Sequence, residues 1–335
     1  MMSHGIRARL WAATFTVLLT PFLSTGQDKS RPPTLHSPDQ ILKIMEASKL
    51  SYIIAALDST DVPPDTPRVL GNTMVLRKTD GGYSLVQVTL SDEASSILSK
   101  AEDAFSRKEF EQAFALYGKT READSTFVQS TTLQGDVRYA QGQYEEAKTL
   151  FLESIAQNFI DYDAHWFLAD TYARLVIPDS ATIHYTMAHL LNRNHQHARE
   201  ALTAHRLDIG RPWKEWTFKP SYVLSRSGDR VSVKASSDWL GYAIVKAVWE
   251  FEPGYADSTL GKGYPASLSN THEEKEAVLA CMSGNNHELL ERIISDGFVD
   301  EFILYEIIGP KAPEALLLLA GPTFMRLVEY VDKYH

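Results

Sequence analysis

Small and aromatic side chains return at a fixed interval through the middle of this chain. Ala101, Gly135 and Ala169 are each 34 residues from the next, and so are Ala113, Ala147 and Ala181, and Tyr117, Phe151 and Tyr185. Within each unit the second small residue follows the first by 12 positions, and the aromatic comes four later. Four positions is close to one helical turn, so the second small residue and the aromatic share a helix face. The pattern predicts two helices per unit, pressed together through their small side chains, with the aromatic filling the space beside the next unit. Lys108-Glu109 and Gln141-Gly142-Gln143 separate the paired helices, and Phe110 and Tyr144 open the second ones. Neither helix can bury its face alone, so the units must stack into a continuous core. Residues 197–209 read as one further helix that caps the stack.

The periodicity changes on both sides. Ile41, Leu42, Ile44, Met45, Ile53 and Ile54 predict one or two helices over 38–57, with Asp39 as a cap. A proline-rich loop follows at 62–67, and strands at 73–77 and 83–89 flank Asp80-Gly81, a hairpin signal. After Gly210, Trp213, Trp216 and Phe218 precede strands at 222–226 and 230–234, joined across Ser227-Gly228-Asp229. A helix capped by Asp238 carries Leu240, Ala243, Ile244, Ala247 and Val248 on one stripe and ends at Glu252-Pro253-Gly254. Gly261, Gly263 and Pro265 mark a loop, and 272–334 reads as several short helices. The expected fold class is mainly α, an α–α superhelix of three units plus a capping helix, flanked by small α+β elements. The expected division is an N-terminal element at 27–93, the solenoid with its cap at 94–210, and a mostly helical α+β region at 211–335.

Composition narrows the function. The 335 residues are 44% hydrophobic and 23% charged, which excludes a disordered or low-complexity chain. Lys plus Arg number 33 against 43 Asp plus Glu, a formal charge of −10. Nucleic-acid binders draw most of their affinity from basic faces on phosphate, and no such excess exists here. One cysteine, Cys281, excludes an intrachain disulfide and a thiolate metal cage, and its apolar neighbours predict a buried, inert thiol.

Residues 1–26 read as a secretory signal peptide. Arg7 and Arg9 precede 14 mostly apolar residues, 10–23, interrupted by Pro21, and Ser24 and Gly26 supply small side chains before a cut at Gln27. That stretch is short of the roughly 20 residues a bilayer span needs, and no later stretch approaches that length. The expected location is therefore periplasmic or secreted, with no membrane span.

The repeat units resemble the tetratricopeptide repeat family. The middle unit carries Leu133-Gln134-Gly135-Asp136, then Gly142-Gln143-Tyr144-Glu145-Glu146-Ala147 and Phe151. Leu168-Ala169-Asp170 with Tyr172, Ala181 and Tyr185, and Ala101 with Phe110, Ala113 and Tyr117, make weaker matches, so the resemblance covers about 94–193. The proline common near the end of such repeats is replaced by Ser125, Phe159 and Arg193, and Pro178 stands where the third unit would carry an aromatic.

The resemblance implies a right-handed superhelix whose first helices line a concave groove. By position the groove residues are Glu102, Phe105, Gln129, Thr132, Asp136, Tyr139, Asp163, Trp166, Asp170 and Arg174. Glu102, Asp136 and Asp170 share one repeat-equivalent position and would form an acidic stripe, read either as a binding face or as solvated helix residues that keep the protein soluble. Family members that grip a terminal carboxylate use Asn and Lys on this face, and that pattern is absent here. The expected partner is a protein or peptide segment, basic or neutral, bound by an adaptor. Trp166 is either an anchor for that partner or packing against the next repeat.

Enzyme motifs fail on inspection. Gly261-Lys262 lacks the first glycine of a phosphate loop, since Ala256 stands there, and Gly263 replaces the metal-binding Ser or Thr. His287-Glu288-Leu289-Leu290-Glu291 lacks the second histidine of a zinc-protease helix, and no G-x-S-x-G occurs. His184, His189, His195, His197 and His205 are close in sequence, but His195 and His197 would face apart on a helix. No cofactor and no metal is expected. An active site assembled from scattered residues in 212–335, or a structural role in an envelope assembly, are the alternatives to an adaptor.

Overall fold

The computed structural model describes residues 35–58, 67–71, 74–79, 82–260, 270–282, 288–319 and 321–335. The expected signal segment, nearly all of the proline-rich loop, Asp80-Gly81, the 261–265 loop and His287 lie outside the described residues. Three helical hairpins occupy the middle: α2 (Asp92–Ser106) with α3 (Phe110–Ala123), α4 (Ser130–Ala140) with α5 (Tyr144–Gln157), and α6 (Tyr162–Arg174) with α7 (Pro178–Leu191). α8 (Gln196–Asp208) packs on α7 as the capping helix. The fold is mainly α, as the spacing predicts.

The repeat-equivalent side chains do the packing. Ala101, Ala113 and Tyr117 form one buried cluster that reaches Val137 of the next hairpin. Ala147 and Phe151 meet Leu168, and Ala169, Ala181 and Tyr185 meet Leu202 of the cap. The turn inside each hairpin places one residue in the left-handed region, again at a spacing of 34: Lys108 (φ 61°), Gly142 (φ 77°) and Val176 (φ 60°). Pro178 takes the first turn of α7, where its missing N–H costs nothing.

The flanks close around a second core. α1 (Pro38–Ala47) is capped by Ser37, whose side chain accepts from the Gln40 N–H while Gln40 reaches back; Asp39, expected to cap, sits inside the first turn. The expected second helix there is instead β1 (Ser51–Ala56). Six residues containing Tyr52 and paired Ile53-Ile54 are short for a helix and suit a strand once a partner exists. That partner is β5 (Arg230–Ala235), which β1 joins in parallel, and β4 (Tyr222–Ser227) completes the sheet antiparallel to β5. Separately, β2 (Met74–Thr79) and β3 (Gly82–Gln87) form an antiparallel hairpin.

A single turn of 3-10 helix at Ser237–Trp239, which includes Asp238, leads into α9 (Leu240–Phe251). α9 packs on the three-stranded sheet, on α1 and on α11 (Thr271–Met282). α10 (Tyr255–Leu260), α12 (Glu288–Ser295), α13 (Val299–Phe302), a π-helical turn at Ile303–Ile308, α14 (Gly309–Lys311), α15 (Glu314–Leu317) and α16 (Gly321–Tyr334) finish the chain. Met187, Leu190 and Leu191 of α7 belong to this core, so the last hairpin joins the solenoid to the C-terminal body. Cys281 is buried within it, and burial pushes its thiol up to about 11. No helix among the described residues is long and apolar enough to cross a membrane.

Candidate functional site

α2, α4 and α6 present Glu102, Asp136 and Asp170 at equivalent positions, and the structure makes these carboxylates electrostatic neighbours. Tyr117 donates its hydroxyl to Glu102 Oε1 at 2.9 Å, and Tyr185 donates to Asp170 Oδ1 across the same 15-residue interval. The middle hairpin carries Phe151 at that place, which has no hydroxyl. Asp136 therefore sits half-buried with no hydrogen-bond or ion-pair partner among the described residues. Burial, and then the charges of Glu102, Asp170 and Asp163, push its carboxyl up to about 6. Burial also raises the Asp170 carboxyl, against the opposing pull of the Tyr185 hydroxyl and Arg174.

The other expected groove residues divide. Phe105 is half-buried with its ring edge-on to Phe110, centroids 5.9 Å apart. Tyr139 accepts at 3.3 Å from Arg174 Nε, which ties α4 to α6 beside the acids. Asp163 is half-buried in the first turn of α6. Trp166 packs edge-on to His195 at the start of α8, with centroids 5.9 Å apart, and joins the cluster of the third hairpin and cap.

Thr132 and Gln129, in contrast, are buried. Thr132 Oγ1 donates to Asp161 Oδ2 at 2.7 Å and lies 2.6 Å from Ser154 Oγ, while Asp161 caps α6 through the Ala164 N–H. Thr132 is thus an internal strut between hairpins, because the first turn of α4 is covered by the connection from α5 to α6. Residue types and spacing missed the two tyrosine hydroxyls, although the signal was available: an acid 15 residues before a tyrosine, repeated in the first and third units.

The histidines do not gather as the sequence order suggests. His184 stacks on Tyr172 and places Nδ1 3.0 Å from Nδ1 of His165, a residue outside the expected cluster. Burial drives His165 and His184 down to about 3 and about 4, so both are neutral at physiological pH. Among the described residues no group of three His, Cys, Asp or Glu is arranged to hold a metal.

The C-terminal body holds two buried ionic clusters, both paired internally. Lys246 on α9 is flanked by Glu273 and by Glu274 on α11, the latter at 2.8 Å, and Tyr242 donates to Glu274. Burial opposes the Lys246 charge, but the two glutamates outweigh it, and its proton is held more firmly than an ordinary lysine's. Such an ammonium is no nucleophile. Glu276 accepts from the His36 N–H at 2.6 Å, Trp249 Nε1 at 2.8 Å and the Tyr255 hydroxyl at 2.9 Å, pinning the segment before α1 to α11. Among the described residues, open pockets of about 440 Å³ lie elsewhere, one between α7 and α16 and one between α2 and α4.

No protein-family profile matches the whole chain or any part of it. The chain is 32% identical over 88 residues to anaphase-promoting complex subunit 3 of Schizosaccharomyces pombe, a match covering 26% of this chain and 13% of that protein's length. The 34-residue helical hairpins at 94–193 form a tetratricopeptide-like array. Among solved structures, the tetratricopeptide domain of Sgt2 from Aspergillus fumigatus is similar at 16% identity with a TM-score of 0.34, over 40% of this chain and 93% of that one. The Yersinia enterocolitica secretion chaperone SycD, solved with a peptide of the translocator YopD, is similar at 17% identity and a TM-score of 0.32, over 36% and 96%. The repeat array is only part of this chain, and the flanking body has its own core.

Proposed function

We propose that this protein is an exported adaptor whose tetratricopeptide groove holds a lysine- or arginine-bearing segment of another protein. The observation that carries the reading is the Asp136 carboxylate. Its counterparts Glu102 and Asp170 each accept a tyrosine hydroxyl, whereas Asp136 accepts nothing among the described residues and faces three like charges. A half-buried carboxylate without a partner disfavours the folded state. An asparagine or alanine would serve the hairpin better, and a charge kept at that cost fits a residue that meets its counterion on binding. The formal charge of −5 over residues 94–193 favours encounter with a basic partner. The signal-like composition of residues 1–26 supports export to the periplasm or beyond.

The test is a pull-down from the exported fraction with protein beginning at Gln27, beside a folded variant carrying Asp136→Lys and Asp170→Lys. Capture of a protein by the first and its loss from the second is the expected outcome. Equal capture by both would transfer the interaction to the flanks, and no capture by either would count against an adaptor.

A further inference from the structure

We infer that the groove reads two side chains of one partner segment: a lysine or arginine at Asp136, and a large apolar residue in the adjoining pocket between α2 and α4. The inference rests on the groove reading above and adds the second side chain. The pocket, about 440 Å³, is lined by Phe105, Ser106, Lys108, Phe110 and Ala140. Phe105 follows Glu102 by three residues on α2, and Ala140 follows Asp136 by four on α4, so on both helices the pocket lies one turn beyond the acid on the same face. Acid and pocket are therefore parts of one surface.

The pocket's chemistry selects its occupant. Phe105 and Phe110 are only half-buried, and their exposed ring surface gains about 25 cal/mol for each Å² removed from water. Lys108 at the rim repels a second cation, which sets the polarity of the bound segment: the basic side chain goes to the acids and the apolar one to the rings. One helical turn is a rise of about 5 Å. In an extended segment, side chains two positions apart point the same way and are separated by about 6–7 Å. A basic and an apolar residue separated by one position satisfy both subsites.

Calorimetric titration of the chain from Gln27 tests this with acetylated, amidated Gly/Ser octapeptides carrying Lys-Ser-Leu, Leu-Ser-Lys or lysine alone. One of the two mixed peptides is expected to bind about tenfold more tightly than the lysine peptide, the scale of one well-buried anchor. Phe105→Ala removes that advantage and leaves the lysine peptide unaffected. Ala140→Phe, which fills the pocket from an exposed position without removing any packing, does the same; thermal melts by circular dichroism establish that both variants are folded. Asp136→Asn weakens all three peptides. Equal binding of the mixed and lysine peptides, still sensitive to Asp136→Asn, would overturn the pocket and leave the groove standing. Binding of none would overturn both.

Discussion

Gly135→Ala adds one methyl group at the place where the middle hairpin is tightest. A Cβ there would stand 2.5 Å from Phe151 Cε1, 2.7 Å from Cδ1 and 3.0 Å from Cζ. Carbon atoms rest at about 3.5–4.0 Å, so the ring must withdraw by about 1 Å. It has nowhere to go: Phe151 is fully buried between Ala147 and Leu168, with the Phe167 ring 5.8 Å away. Overpacking of this kind costs about 1–3 kcal/mol. Alanine's better helix propensity returns about 1 kcal/mol, leaving a net loss of up to about 2 kcal/mol. The first and third repeats carry alanine at this position, beside tyrosines whose hydroxyls reach Glu102 and Asp170.

Urea unfolding followed by circular dichroism measures the loss, and the Phe151→Leu background identifies its cause. With the smaller side chain the added methyl fits, so Gly135→Ala becomes neutral or stabilising there. The two backgrounds should differ by about 1–3 kcal/mol, well above the 0.3–0.5 kcal/mol scatter of independent sites. Equal effects in both would mean that the ring does not rest on Gly135, and the assigned repeat register would fall.

Three further outcomes are expected. Asp136 has a folded-state pKa near 6 against an ordinary 3.8, so the folded state binds the extra proton and stability rises as pH falls from about 6 to about 4; Asp136→Asn should raise the melting temperature at pH 7 and flatten that part of the profile, leaving the share owed to Asp161, also raised to about 6 by burial. Val176 is β-branched, 83% exposed and held at φ 60°, a conformation costing L-residues about 1–2 kcal/mol, so Val176→Gly should stabilise the third hairpin by up to about 1 kcal/mol in urea unfolding once glycine's extra chain entropy is counted. Lys246→Met strands Glu273 and Glu274 in the core and should cost about 3–5 kcal/mol at pH 7, with part of the loss recovered in acid as the carboxyls protonate, read from denaturant midpoints across pH.

The repeat was legible because its information is local. Small and aromatic residues at an interval of 34 specify a hairpin whose contacts lie within one or two units, and the structure follows that register down to the three left-handed turn residues. The hairpins at 74–87 and 222–235 and the short helices of the C-terminal stretch were legible for the same reason. The equivalence of Glu102, Asp136 and Asp170 was legible, because the 34-residue interval alone puts them at one repeat position.

Only the tertiary structure decided what these residues touch. Thr132 reads as a groove residue by its spacing, yet the connection from α5 to α6 folds over it and turns its hydroxyl into a strut for Asp161. Asp136 became distinct from its two counterparts only when the tyrosine hydroxyls were seen to reach the outer acids. Ser51–Ala56 is a strand because β5, far along the chain, supplies its hydrogen bonds, and no local pattern encodes a pairing at that distance. Glu276 likewise holds the His36 backbone across 240 residues. Periodicity records the face a side chain turns toward, and long-range packing decides what meets it there.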